Sequence, residues 1–108
     1  MGAVTLGGTS TLNAGAGTLS TTGAVTGGGN DLTIQGSGAN TIASTTGIGA
    51  LALNQTGGSI TFTGATASTS LTTAANNFAI TFQGGTNTVT NATAFTNTGS
   101  LTLGVGGG

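Results

Sequence analysis

The sequence predicts an all-β fold, a parallel β-helix (β-solenoid) of about five coils with about 20 residues per coil and essentially no helix. Three observations predict it. A short pattern of alternating apolar and threonine residues recurs along the chain. Its copies lie about one coil length apart, which is typical of a solenoid. The composition includes 23 Gly and lacks the Lys, Arg and Glu that favour helices.

The recurring pattern has apolar residues at its first and third positions and threonine between them. Such alternation is typical of a strand that buries one face, and the glycine that usually follows ends or bends the strand. Three close copies and two looser ones occur: LTIQG (32–36), ITFTG (60–64), ITFQG (80–84), VTLGG (4–8) and LTLGV (101–105).

The spacing of these copies sets the predicted coil length. The interval from Ile60 to Ile80 equals that from Ile80 to Leu101 to within a single position. We interpret residues 51–59 as a short interruption of the repeat. We expect one domain over residues 1–108, a single β-solenoid segment with a looser N-terminal unit (1–31) and regular coils (32–108).

Stacked coils bring equivalent residues into columns. We expect the apolar pairs of five segments to form inward columns: Leu32/Ile34, Leu51/Leu53, Ile60/Phe62, Ile80/Phe82 and Leu101/Leu103. We expect an outward threonine ladder of Thr33, Thr61, Thr81 and Thr102. Uncharged ladders avoid repulsion between like charges on neighbouring strands, which explains why the chain carries almost no charge.

Asp31 is the only charged side chain, because the sequence has no Lys, Arg or His and a single acidic residue. A serine nucleophile needs a base to activate it, and a calcium site needs several oxygen ligands with more than one carboxylate. We therefore expect no enzyme activity and no catalytic, cofactor-binding or metal-binding residues. We interpret Asn30-Asp31 as a turn before a strand.

Other patterns have structural interpretations. The glycine runs at 27–29 and 106–108 lack the helix and the Lys of a phosphate loop, so we interpret them as turns or linkers. Two glycosylation sequons, at Asn54/Thr56 and Asn91/Thr93, are expected by chance in a chain rich in Asn and Thr. Five asparagines near predicted turns are expected to satisfy backbone groups: Asn30, Asn40, Asn76, Asn77 and Asn87.

Three segments resemble the β-strand-repeat regions of filamentous-haemagglutinin-like and autotransporter-like bacterial surface adhesins: residues 11–25, 32–45 and 80–103. The resemblance lies in composition and rhythm and extends over nearly the whole chain. It implies a right-handed parallel β-helix that forms an exposed stalk or filament at the bacterial cell surface, outside the cell. The secretion domain, membrane anchor and terminal caps of that family are not recognisable, so we expect a piece of the shaft.

The leading functional hypothesis is therefore a structural β-solenoid segment of a bacterial extracellular adhesin or surface filament that associates with itself end to end. We expect no nucleic acid partner and no membrane insertion, because the chain has no cation and no long apolar run. A host or surface glycan is a further candidate partner.

Two alternatives stay open. The chain resembles curli-type amyloid subunits of biofilm fibres in its repeat length and in Gln35 with Asn40, although Gln83 and Asn87 are one residue closer and Gln55 has no matching Asn. An ice-binding or glycan-binding solenoid is indicated by Thr-x-Thr pairs, which occur at 9/11, 61/63, 86/88 and 96/98.

Overall fold

The computed structural model describes residues 2–84, 87–91 and 95–103, and its regular structure within these ranges is entirely β-strand. Strands alternate with short turns and bends, as the frequent glycines predict. The strands are β1 (Val4–Thr5), β2 (Ser10–Asn13), β3 (Ala24–Thr26), β4 (Leu32–Gly36), β5 (Ala39–Ile42), β6 (Ser44–Gln55), β7 (Ser59–Phe62), β8 (Thr66–Thr73), β9 (Ala79–Phe82), β10 (Asn87–Val89) and β11 (Leu101–Leu103).

All pairings between these strands are parallel, and they define three faces of a solenoid. Face 1 contains β1, β3, the first part of β6, the first part of β8, and β10. Face 2 contains β2, β4 and the second parts of β6 and β8. Face 3 contains β5, β7, β9 and β11, and a bridge from Ser20 to Thr41 adds one level.

Five levels stack on face 1, as the sequence predicts. The aligned residues are Val4, Val25, Thr45, Thr66 and Asn87. The intervals between successive members of this column are equal to within a single position. The prediction of a parallel β-solenoid with about five coils of about 20 residues each is therefore confirmed.

One continuous core runs along the inside of the coils. Strand residues alternate between buried and accessible positions because successive side chains point to opposite sides of a strand. The buried apolar residues are Leu6, Leu19, Val25, Leu32, Ile34, Ile42, Ile48, Leu51, Leu53, Ile60, Phe62, Leu71, Phe78, Ile80 and Phe82.

Ile60 and Ile80 are vertical neighbours on face 3, as predicted from their spacing. Phe62 and Phe82, two residues further along the same strands, stack with ring centroids 5.1 Å apart and planes 7° apart. The rings of Phe82 and Phe95 meet edge to face, with centroids 6.3 Å apart and planes 71° apart. Aromatic residues repeated at one coil length thus form part of the core.

The single set of inward columns expected from the sequence is wrong in one respect. Leu32 and Leu51 align with each other on face 2, whereas Ile60, Ile80 and Leu101 align on face 3. Alternation of apolar and polar residues encodes which side of a strand is buried, but it does not encode which face of the solenoid the strand belongs to. The predicted interruption at 51–59 is instead the end of face 2 and the corner that leads to face 3.

The predicted threonine ladder changes by one member for the same reason. Thr61, Thr81 and Thr102 are aligned on face 3 as expected, but the rung before them is Thr41. Thr33 lies on face 2, where its neighbours are Thr11 and Ala52. The ladder therefore starts from a strand whose sequence, ANTI, does not resemble the recurring pattern.

Strand β6 passes from face 1 to face 2 without a break. Its pairing with β8 changes register between Thr45 and Ile48, where the chain bends. Gly47 lies in this interval with a φ of 65°, a value that residues with a β-carbon rarely adopt. Gly47 thus lies where two residues of β6 face one residue of β8 as the strand passes between the two faces.

The buried column of face 1 becomes polar at its middle level. Thr45 follows Val25 in this column and is 2% exposed. Within the described part of the chain, no hydrogen-bond partner reaches its hydroxyl oxygen. A buried hydroxyl without a partner keeps its desolvation cost without compensation.

Thr45→Val is therefore expected to raise the free energy of unfolding by about 1 kcal/mol, because valine has the same shape without the hydroxyl. Denaturant unfolding followed by far-UV circular dichroism measures this. Thr46→Val is the matched control: this neighbouring side chain is exposed, so its effect is expected to stay within about 0.5 kcal/mol. A clear loss of stability in Thr45→Val would mean that the hydroxyl has a partner.

Candidate interaction surfaces

A ladder of hydroxyl groups runs along the outside of face 3. It consists of Ser20, Thr41, Thr61, Thr81 and Thr102. The three central threonines are half-buried between their neighbours, whereas Ser20 and Thr102 at the two ends are exposed. This surface has hydrogen-bonding groups and no charge, so it fits neutral polar partners and an identical ladder equally well.

The ladder is only one threonine wide, which bears on ice binding. Thr63 and Gln83 lie two residues beyond Thr61 and Thr81 and occupy equivalent positions. Their backbone amides bond to the carbonyls of Ile42 and Phe62, respectively. The Thr-x-Thr pair at 61/63 is therefore not repeated at 81/83. A surface that matches ice needs the pair at successive levels, and this face does not repeat it. Thr86, from the pair at 86/88, lies outside the described residues.

A column of amide side chains lies on the outside of face 2. Asn13, Gln35 and Asn54 are aligned at successive levels. The Asn13 Nδ2 donates to Gln35 Oε1 at 3.3 Å. The column lines an open groove of about 410 Å³, whose other lining residues are Gly15, Ala16, Gly36, Ser37 and Thr56.

Sequence analysis did not predict this groove, although a signal is present. Three strands of face 2 have an amide residue directly after their last inward aliphatic residue. The dipeptides are Leu12-Asn13, Ile34-Gln35 and Leu53-Asn54. The groove also contains the sequon Asn54/Thr56, where Asn54 is exposed and the Thr56 hydroxyl donates to the Gly36 carbonyl at 3.3 Å. Thr93 of the second sequon lies outside the described residues.

A second group of amides lies inside the solenoid at the corner between faces 2 and 3. Gln55 is 0% exposed and Asn40 is also buried. The Asn40 Nδ2 donates to Gln55 Oε1, and Gln55 Nε2 donates to the carbonyls of Gly57 at 2.8 Å and Gly38 at 3.2 Å. Asn40 Oδ1 accepts from the Leu19 amide at 3.0 Å. These contacts satisfy backbone groups of three successive coils.

Three of the other four asparagines expected near turns also bond to backbone groups, whereas the Asn77 side chain is exposed. Asn30 donates to the Leu6 carbonyl at 3.1 Å, and Asn76 donates to the Gln55 carbonyl at 2.9 Å. Asn87 accepts from the backbone amide of Thr66 at 3.2 Å and donates to the Gly84 carbonyl at 3.1 Å. Asn40 and Asn87 differ from the expectation only in that they belong to strands β5 and β10.

Asp31 lies at the start of face 2, where its carboxylate is exposed. Its Oδ1 accepts from the Ala50 amide of the next level at 2.9 Å. The preceding residues form a turn in which the Asn30 amide bonds to the Gly27 carbonyl at 3.1 Å. In the described ranges, no three residues of the metal-ligating types His, Cys, Asp and Glu come together.

The glycine run at 27–29 forms a tight turn between faces 1 and 2. Gly27 packs against the backbone of Gly47 and the side chain of Ile48. Gly28 and Gly29 have φ values of 60° and 88°. The second glycine run, 106–108, lies outside the described residues.

The two ends of the described solenoid present strand edges. Among the described residues, β1 pairs only with β3, β10 only with β8 and β11 only with β9. Leu101 of β11 is 37% exposed, although its aligned neighbours Ile60 and Ile80 are 0% exposed. An edge strand with an exposed apolar residue is a template for a further strand.

No protein-family model, curated protein or solved structure matches the chain. Within the described ranges, no helix has the length and hydropathy to cross a membrane.

Proposed function

We propose that the chain is a structural β-solenoid segment of a bacterial extracellular adhesin or surface filament, and that copies of it join end to end. The observation that carries this proposal is the parallel stacking of its coils. Five levels are aligned on face 1 and five on face 3, with parallel pairing throughout. The chain acts as a spacer whose length is set by the number of its coils.

The arrangement of hydrogen bonds supports a mechanical role. Each inner coil bonds to the coil before it and to the coil after it, so the backbone ladders run the length of the solenoid. The core columns lie between these ladders and fix the coils against sliding, because a register slip of one residue would bring buried side chains to the surface.

The outer surface supports a non-catalytic role in which the chain makes contacts with other surfaces. It offers hydroxyl and amide groups in aligned columns, namely the face 3 ladder and the face 2 amides. Groups of this kind make many weak contacts with neutral polar surfaces, including glycans. The location outside a bacterial cell is supported by the resemblance of residues 11–25, 32–45 and 80–103 to adhesin shafts, and antibody labelling of intact against permeabilised source cells tests it.

Single-molecule pulling between tags at the two termini tests the mechanical role. Coils are expected to detach one after another, because each is held by its neighbours through edge-to-edge ladders. One coil of about 20 residues releases roughly 70 Å of contour length, at ~3.3–3.6 Å per residue. Force peaks at this spacing or at its multiples support the proposal. Extension without resolved force peaks would contradict it.

A further inference from the structure

The two ends of the solenoid match each other in the positions of their strands along the coil. We propose that the C-terminal end of one copy pairs in parallel with the N-terminal end of the next, with Asn87 opposite Val4 of the next copy and Thr102 opposite Ser20 of the next copy. This inference rests on the proposed end-to-end association and specifies its interface.

The spacing between faces 1 and 3 supports this register. Within each level, we compare the number of residues from the aligned position on face 1 to the aligned position on face 3. This number is the same at every level to within a single position. The pairs are Val4/Ser20, Val25/Thr41, Thr45/Thr61, Thr66/Thr81 and Asn87/Thr102. The face 1 and face 3 strands of the first coil are therefore separated by the number of residues that a coil following the last one would have.

Inward and outward positions of the two ends agree in this register. With this register, outward Thr102 meets outward Ser20 of the next copy and extends the hydroxyl ladder of face 3. On face 1, exposed Thr88 meets exposed Thr5 of the next copy, which itself starts the column Thr5, Thr26 and Thr46. No side chain has to change sides of its strand.

An apolar contact at the junction favours the same register. Leu101, aligned with Ile80, is 37% exposed because no described residue covers it. In the proposed register, it lies next to Leu19 of the next copy, which is one residue before Ser20 and is already mostly buried in its own chain. Burying this leucine provides the favourable apolar term that the free end lacks.

Electrostatics does not oppose the contact. The single charged side chain, Asp31, lies at the second level, where its carboxylate bonds to the Ala50 amide. Natural edge strands are commonly protected from further pairing by lysine, proline or inward-pointing charges, and these devices do not occur in β1, β10 or β11. Because the two surfaces are different, the contact is heterologous, and because they lie at opposite ends of the solenoid, it adds copies along the axis and produces a filament.

Cysteine cross-linking tests the register, since the natural sequence has no cysteine. Thr102→Cys and Ser20→Cys chains are mixed and oxidised, and the mixed disulfide is measured by mass spectrometry. Adjacent aligned residues lie about 4.8 Å apart, within the Cα range of a disulfide. The matched control replaces Ser20→Cys by Thr18→Cys, two residues away, where the separation of roughly 8 Å is too long.

The second experiment removes the apolar contact. Sedimentation and negative-stain microscopy at micromolar concentration are expected to show filaments for the natural chain and loss of filaments for Leu101→Lys, which would bury a charge at the junction. Asn77→Lys is the control, because it adds the same charge at an exposed bend one coil before the C-terminal level. It is expected to form filaments, and circular dichroism checks that both variants fold.

The outcomes separate this inference from the proposed function. A preferred Thr102–Ser20 cross-link together with loss of filaments in Leu101→Lys supports the interface. If filaments form but Thr102→Cys forms its disulfide mainly with Thr18→Cys, the proposed register is wrong and end-to-end association still holds. The interface is wrong if the natural chain stays monomeric or if filaments form after a lag from an unfolded monomer. In either case, the pulling experiment still tests the mechanical role independently.

Discussion

Gly58→Ala is expected to lower the free energy of unfolding by about 2–5 kcal/mol. Gly58 has a φ of 70°, in the left-handed region where a residue with a β-carbon costs about 1–2 kcal/mol. A β-carbon at this position would also overlap the backbone carbonyl of Gly38 in the preceding coil. Overpacking of this kind typically costs about 1–3 kcal/mol, so the two costs add.

The overlap arises because glycines form a column at the corner between faces 2 and 3. A β-carbon at Gly38 would in turn overlap the carbonyl of Gly17, one coil earlier. Backbones of successive coils therefore pass each other at this corner with no side chain between them. Gly38→Ala is expected to be destabilising for the same steric reason, without the left-handed φ of Gly58.

Denaturant unfolding of Gly58→Ala and of a matched control measures the effect. Gly8→Ala is the control, because no atom lies within 4 Å of a β-carbon there and its φ is not in the left-handed region. We expect this control to be neutral or to gain up to about 1 kcal/mol through the lower entropy of the unfolded chain. Equal stability changes in the two variants would contradict the close packing of coils at the corner.

This corner also explains which part of the fold the sequence could predict. The alternation around Ile60 and Ile80 and their spacing of one coil length were sufficient to place them in one column, as the structure confirms. Assigning Leu32 to a different face requires knowing where the corners are. Corners are made by glycines such as Gly38 and Gly58, and these are indistinguishable in sequence from glycines in open turns such as Gly8.

The candidate surfaces were predictable to a similar degree. A ladder containing Thr61, Thr81 and Thr102 follows from the repeat itself, whereas Thr41 was missed because its strand carries Asn where its neighbours carry Ile. Gln55 was missed because a glutamine at the end of a strand is normally exposed. The alternation of Leu51 and Leu53 continues to Gln55, which would have placed its amide inside, but the partner that satisfies it comes from another coil.

Gln55→Leu is expected to lower the free energy of unfolding by about 2–4 kcal/mol. Leucine has a similar volume, so the change isolates the loss of the buried amide. The Gly57 carbonyl would lose its donor at 2.8 Å, and the Asn40 amide would lose its acceptor. Each buried polar group left without a partner costs about 1–3 kcal/mol. Thermal and denaturant unfolding measure the loss.

Gln83→Leu is the matched control, because the Gln83 side chain is exposed at a position just after a face 3 strand. We expect its effect to stay within about 0.5 kcal/mol. A loss in Gln83→Leu as large as that in Gln55→Leu would mean that glutamine stabilises the chain through the unfolded state or the turn, and not through the buried network.

The double variant Asn40→Ile with Gln55→Leu tests whether the two amides act as a pair. Asn40 is aligned with Ile60 on face 3, so isoleucine would extend an existing apolar column. Asn40→Ile alone is expected to be destabilising, because the Leu19 amide loses its acceptor and Gln55 Oε1 loses its donor. The double variant leaves fewer unpaired groups than the two single changes combined, because the Asn40 Nδ2 and Gln55 Oε1 that bond to each other are both removed. The double variant is therefore expected to lose less than the sum of the single losses, by about 0.5–3 kcal/mol. Strict additivity in this cycle would show that Asn40 and Gln55 stabilise the corner independently.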